Sequence, residues 1–159
     1  MIKYGQLERN DEDKVEEIYN LLNSNVKDYP NIFHWYYTKV VPNLNKTREI
    51  IVAIDESNQI VGFTIVKNEE EKKICSLYVI PQYRNKGIGT LLLNKAMVVL
   101  KMRKPLITVN NKVLDYYLPL FTKLGYNLRH TYRDYYVKDV VEYCFNGKLP
   151  DKKFVKVDI

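Results

Sequence analysis

Between Leu77 and Leu92 the chain reads Leu-Tyr-Val-Ile-Pro-Gln-Tyr-Arg-Asn-Lys-Gly-Ile-Gly-Thr-Leu-Leu. A strand ends in this stretch, a polar loop with two cations follows, and Gly87 and Gly89 mark where a long helix starts. The first turn of a helix presents unpaired backbone N–H groups and a partial positive charge, which together make a place for an anion. Glycine lets backbone come close to such an anion without a Cβ in the way. Arg84 and Lys86 add two charges and Thr90 adds a hydroxyl, so a diphosphate suits the site. Gly-x-Gly before a helix also occurs as a plain turn. The combination with strand, proline, Tyr83-Arg84 and a second cation favours the anion. Two other phosphate motifs are excluded. The dinucleotide fingerprint needs a third glycine where Leu92 stands, and no G-K-[ST] follows a P-loop glycine at the required spacing.

The elements that must position this loop follow from periodicity. Ile2 to Leu7 predicts a first strand. Asn10 to Asp13 supply acids suited to a helix start, and Val15, Ile18, Tyr19 and Leu22 predict an amphipathic helix over 12–23. Pro30 opens a second helical stretch, 31–41, with Ile32, Phe33, Tyr36, Tyr37 and Val40 on one face and Pro42 ending it. Three β-rich runs come next, 49–54, 59–67 and 73–80, separated by turns short enough to demand an antiparallel meander. A helix from Gly87 to about Met102 carries its apolar stripe on Ile88, Leu91, Leu92, Ala96, Val99 and Leu100. A short strand at 106–109, a helix over 112–124 closed by Gly125, and strands at 126–136 and 140–145 complete the order. The reading is a mixed α/β (α+β) sheet with helices on both faces, one domain over 1–146 and a tail over 147–159.

The chain has 159 residues, of which 46% are hydrophobic and 28% charged, which fits one globular core and excludes wholesale disorder. No apolar run approaches the roughly 18 residues a membrane crossing needs, and the first residues lack an apolar stretch of the signal type, so a cytoplasmic, membrane-free protein is expected. Cys75 and Cys144 are too few for a disulfide scaffold and their spacing fits no metal site. The net charge of +6 admits nucleic acid or a phosphate-bearing cofactor. Its spread along the chain without a long basic block disfavours nucleic acid. His130, in a strand near a sheet edge, reads as structural.

The stretch from Val79 resembles the acetyl-CoA motif of the GNAT superfamily, the acetyl-CoA-dependent N-acyltransferases. Val79, Pro81, Tyr83, Arg84, Gly87, Ile88, Gly89, Leu92 and Leu93 stand at the positions of the pattern V-x-P-x-Y-R-x-x-G-[IV]-G-x-x-L-L. The resemblance implies a mostly antiparallel sheet with a splayed central parallel pair. Pantetheine would enter the splay and pair with backbone at Leu77, Tyr78 and Val79. The diphosphate would rest on the loop Arg84, Asn85, Lys86, Gly87, Ile88, Gly89 and Thr90. An acetyl group would then pass from acetyl-CoA to a primary amine by direct attack in a ternary complex, and a homodimer is possible.

The sequence departs from that family where the acid and base usually stand. Lys73 occupies the position of a glutamate base, Phe121 that of a tyrosine acid, and Leu114 that of an asparagine. Tyr117, one helical turn before Phe121, is the candidate hydroxyl for the sulfur, with core packing as the alternative. Ser76 is a candidate at the splay point, and Cys75, on the opposite face by alternation, is either an acylated nucleophile or an inert strand residue. His34, in His34-Trp35-Tyr36-Tyr37, could act as base or touch the acceptor, or sit on a solvated helix face. Trp35 and Tyr37 could wall the acceptor or belong to the core. Two other functions stay open: a non-catalytic acyl-CoA-binding sensor, and a toxin-like transferase acting on aminoacyl-tRNA.

Overall fold

A computed structural model describes residues 1–25, 29 and 31–151. The first strand β1 (Lys3–Gln6) leads into α1 (Glu12–Asn25), whose opening turn is capped by Asp11 Oδ1 accepting the Lys14 N–H at 3.3 Å. The predicted second helix is a composite. A single α-turn, α2 (Ile32–Trp35), runs into a π-turn (Tyr36–Val40) and a 3-10 turn (Val41–Asn43). Pro42 has no N–H to continue a helix, and Asn43 Nδ2 donates instead to Lys39 O at 2.9 Å. Ile32, Trp35, Tyr36 and Val40 are buried, whereas Phe33, expected inside, is 59% exposed, its ring resting against Tyr19 and Tyr37 at 5.4 and 4.8 Å between centres. The expectation that Pro30 opens this stretch lies outside the described residues.

The meander is β2 (Arg48–Ile54), β3 (Ile60–Asn68) and β4 (Lys72–Val79), antiparallel throughout as predicted. A 3-10 turn (Pro81–Tyr83) connects β4 to α3 (Ile88–Leu100). There Leu93 replaces the expected Leu91 in the buried stripe, and Leu91 is 45% exposed. Then come β5 (Leu106–Asn110), α4 (Leu114–Lys123), β6 (Leu128–Arg133) and β7 (Val141–Phe145). Gly125, at φ +75°, closes α4, with the Tyr126 N–H returning to Phe121 O at 2.9 Å. The sixth strand is shorter than the predicted 126–136, because Tyr135 leaves the ladder to pack with Leu106, Cys144 and Leu149. The expectation for the tail falls largely on 152–159, outside the described residues.

The seven strands lie in the order β1-β2-β3-β4-β5-β7-β6, with one parallel pair, β4 and β5. Each sheet face carries its own core. On one side α3 and α4 bury Leu92, Leu93, Ala96, Leu100 and Phe121. On the other, α1 and the composite helix bury Ile18, Leu22, Trp35 and Tyr36. The expectation of a mixed sheet with helices on both faces therefore holds.

The parallel pair is the exception to an otherwise continuous ladder. Lys73 pairs with Leu106 and Ile74 with Ile107, and the pairing stops there, although β4 runs on to Val79 and β5 to Asn110. At that point β4 carries a bulge toward β3. Ile65 opposes Ser76 and Val66 opposes Ile74, so Cys75 is the extra residue. A bulge bends and twists its strand, which turns the far half of β4 away from β5.

Gly62 on β3 lets α3 approach this sheet closely. A Cβ there would stand 3.1 Å from Tyr78 O and 3.2 Å from Leu92 Cδ1. Gly62→Ala is expected to destabilise the domain by about 1–3 kcal/mol. Gly5→Ala, with no atom within 4 Å of the new carbon, is expected to leave stability unchanged. Thermal unfolding of the two variants checks the contrast.

Candidate functional site

The splay opens into a cleft of about 520 Å³. Its floor is the bulged part of β4 (Cys75, Ser76, Leu77), facing Thr108, Val109 and Asn110 of β5. Tyr116, Tyr117 and Phe121 of α4 wall one side, and Leu22, Tyr29, Ile32 and Trp35 wall the other.

The two unpaired edges must satisfy their backbone groups. The Ile80 N–H donates to Val61 O at 2.9 Å, so by alternation Ser76 and Tyr78 also direct their backbone toward β3, and Leu77 and Val79 direct theirs into the gap. Both of those carbonyls are held by side chains. Tyr117 donates its hydroxyl to Leu77 O at 2.9 Å, and Arg84 Nε donates to Val79 O at 2.8 Å. Of the three backbone positions expected to face a ligand, Tyr78 contributes its ring to the cleft while its carbonyl lies on the Gly62 side.

Beyond Val79 the chain turns through Asn85 (φ 62°) and Gly87 (φ +84°), both left-handed, before α3 begins. Only Gly87 is a glycine for the sake of its backbone angle. Gly89 has ordinary space, a Cβ there standing 3.9 Å from Val79 and from Leu120. The first N–H to find an acceptor in the helix is that of Leu91, which donates to Gly87 O at 3.1 Å. The amides of Gly87, Ile88, Gly89 and Thr90 thus start α3 without a backbone acceptor among the described residues. Arg84 is braced and not free: its guanidinium lies 5.5 Å from the Tyr78 ring and 5.3 Å from the Tyr116 ring. Lys86 stands over Tyr83, 5.4 Å from its ring centre.

A family model for the acetyltransferase (GNAT) domain matches residues 46–128, just over half of the chain. The chain belongs to the GNAT family. That span covers β2 to the start of β6, including the whole splay and the Gly87 turn. Solved structures agree in fold. A chain of the NatC complex bound to Gag peptide and CoA aligns at TM-score 0.77 with 17% identity, over 91% of this chain and 96% of that one. Arabidopsis thaliana NAA60 in complex with acetyl-CoA aligns at 0.73 with 15% identity, over 91% and 97%. The ribosomal-protein-S18-alanine N-acetyltransferase of Escherichia coli aligns at 0.69 with 17% identity, over 91% and 92%. Among curated proteins none matches this sequence.

Within this GNAT domain the sequence candidates separate. Tyr117 and Ser76 both line the cleft, and Tyr117 stacks on Phe121 with ring centres 5.8 Å apart. Burial pushes the Tyr117 hydroxyl well above the ordinary tyrosine range, with the Arg84 charge pulling weakly the other way, so it stays protonated. The bulge removes the strict alternation expected of Cys75 and Ser76, and both face the opening. His34 is not brought to the cleft. It is exposed on α2, while its neighbours Ile32 and Trp35 line the wall. His130 is exposed on the edge strand β6.

Sequence reasoning missed a buried polar group beside the splay. Lys73, 4% exposed, places Nζ 3.1 Å from the Tyr136 hydroxyl. Glu142 of β7 is fully buried, opposite Asn110 in the ladder, and accepts the hydroxyl hydrogen bond of Tyr29. Its other oxygen, Oε2, has no partner among the described residues. The polar residue Glu142 inside the run Val-Val-Glu-Tyr-Cys-Phe was the one available signal.

The two thiols differ in kind. Cys75 lines the cleft and accepts a hydrogen bond from Arg48 Nη1 at 3.4 Å. Cys144 is fully buried, and burial pushes its thiol up to about 11. The thiolate is the reactive species. Brief alkylation of the native protein at neutral pH is therefore expected to label Cys75 and spare Cys144 until denaturant is added, as read by mass spectrometry.

Proposed function

We propose that this GNAT domain, residues 1–146, transfers an acetyl group from acetyl-CoA to a primary amine by direct attack in a ternary complex. The opening of the sheet between β4 and β5 carries the reading. A cleft floored by strand edge that lacks its ladder partner accepts a linear, amide-bearing chain, because such a chain returns the hydrogen bonds that the missing strand pair forgoes. Pantetheine has that chemistry, and Leu77 and Val79 are the backbone positions that would meet it. The diphosphate would rest on the amides of Gly87, Ile88, Gly89 and Thr90, beside Arg84, Asn85 and Lys86. In support, the NatC structure holds peptide together with CoA, and the Escherichia coli neighbour is named for N-acetylation of an alanine.

In this reading Tyr117 has two states. Without ligand its hydroxyl rests on Leu77 O. A pantetheine amide that takes Leu77 O releases the hydroxyl into the cleft, where it protonates the departing sulfur. Its raised proton affinity keeps the hydroxyl in the protonated form, the form in which a general acid must enter the reaction. Ser76 supplies a second hydroxyl at the bulge.

Calorimetric titration with acetyl-CoA tests the binding step, and release of free CoA across a panel of amines tests turnover. No heat at millimolar acetyl-CoA would overturn the assignment. Thr90→Glu is a sharper check. A carboxylate in the first turn of α3 suits the helix dipole, so the variant is expected to fold with unchanged or raised Tm. The same carboxylate occupies the anion position, so acetyl-CoA affinity is expected to fall at least tenfold, about 1.4 kcal/mol. Tyr117→Phe is expected to lower kcat by about a hundredfold or more with little change in acetyl-CoA affinity, as steady-state kinetics and calorimetry together would read.

A further inference from the structure

The transfer reaction needs a group that takes a proton from the amine, and neither the position where the family carries its base nor the one base candidate in the sequence, His34, provides it. Lys73 stands where the family's carboxylate base is expected, and its ammonium is held by Tyr136. The imidazole of His34 is exposed away from the cleft. No carboxylate and no imidazole line the cleft among the described residues. One carboxylate lies directly behind the lining. Glu142 is fully buried and bound to the hydroxyl of Tyr29, and Tyr29 is part of the cleft wall.

Building on the transferase reading, we propose that Tyr29 and Glu142 form a proton relay in which Tyr29 is the catalytic base toward the acceptor amine and Glu142 takes up the proton that Tyr29 gives away. Three observations on the geometry point the same way. The Tyr29 hydroxyl donates to Glu142 Oε1 and takes a side-chain hydrogen bond from Asn110, which leaves one lone pair for a donor arriving from the cleft. Glu142 Oε2 is buried without a partner among the described residues, which is costly for a carboxylate that serves only as structure. Asn110, the ladder partner of Glu142, lies in the cleft wall and hydrogen-bonds Tyr29, so a cleft-lining residue holds the Tyr29 hydroxyl between the carboxylate and the opening.

The atoms balance without an added reactant. The amine nitrogen attacks the thioester carbonyl carbon, the C–N bond forms and the C–S bond breaks. The nitrogen's proton passes to Tyr29 Oη as the Tyr29 proton passes to Glu142 Oε1. The sulfur leaves as a thiol with the proton of Tyr117. After product release, Glu142 returns its proton to water through Tyr29, and Tyr117 regains one from water in the cleft.

The groups facing the carboxylate set its proton affinity. Burial raises the Glu142 carboxyl above the ordinary carboxylate range, while the Tyr29 hydrogen bond and the Lys73 charge pull it down. Tyr136 from the β6–β7 connection and Cys144 from β7 also face it, both neutral at physiological pH because burial raises them. A carboxylate lifted in this way is a stronger proton acceptor than an exposed one. The relay works with Glu142 ionised, so activity falls as pH drops through its raised midpoint.

The test uses the full chain with acetyl-CoA and an amine that the wild type acetylates. In Glu142→Gln, kcat is expected to fall by about a hundredfold or more, with acetyl-CoA affinity unchanged and the acidic limb of the kcat profile gone. Tyr29→Phe leaves the buried carboxylate in place and is expected to do the same, so a folding defect in the first variant cannot mimic the result. Either variant, folded by circular dichroism and retaining the wild-type kcat and acidic limb, overturns the relay. A wild type that neither binds acetyl-CoA nor acetylates any amine overturns instead the transferase reading beneath it.

Discussion

Everything at the working end of this protein depends on hydrogen bonds that two neighbouring strands do not make. Past Ile74 and Ile107 the parallel ladder is abandoned. A sheet that gives up its central pairing must find other partners for the exposed amides and carbonyls, or leave them to solvent and ligand. The protein does both. Tyr117 and Arg84 hold the two carbonyls that face the gap, and the gap itself stays open as a cleft. Those two side chains come from two elements on one face of the sheet, one from α4 and one from the loop before α3. They tie the far half of β4 to the elements flanking the opening and keep it from closing back onto β5.

The second consequence of the splay is electrostatic. Where the ladder ends, the side chains of Lys73 and Glu142 are left inside the protein, behind the residues that line the cleft. An isolated buried charge costs several kcal/mol. Here opposite charges share one neighbourhood with three hydroxyl or amide groups, from Tyr29, Tyr136 and Asn110. The arrangement keeps a carboxylate close to the opening without placing it on the surface, where water would damp its effect.

Local signals in the sequence were sufficient for most of the fold. The β-branched runs separated by Asp55–Asn58 and Asn68–Glu71 gave the meander, and Gly87 and Gly125 marked a helix start and a helix end. The motif from Val79 to Leu93 located the loop, since each of its residues serves the same short segment. Features created by distance were out of reach. Tyr29 and Glu142 are 113 residues apart in sequence and meet only because β7 inserts between β5 and β6. The bulge at Cys75 is a property of pairing with β3 and leaves no mark of its own in the strand sequence. His34 takes the solvated helix face, one of the two readings its spacing left open, and nothing local in the sequence decides between them.

The chain contains a single tryptophan, and it stands in the cleft wall with its indole N–H unpaired among the described residues. Indole emission responds to the polarity and hydrogen bonding around the ring. Any molecule that fills the cleft replaces water beside that one fluorophore, so the protein carries its own optical gauge of occupancy, free of the background that a second tryptophan would add.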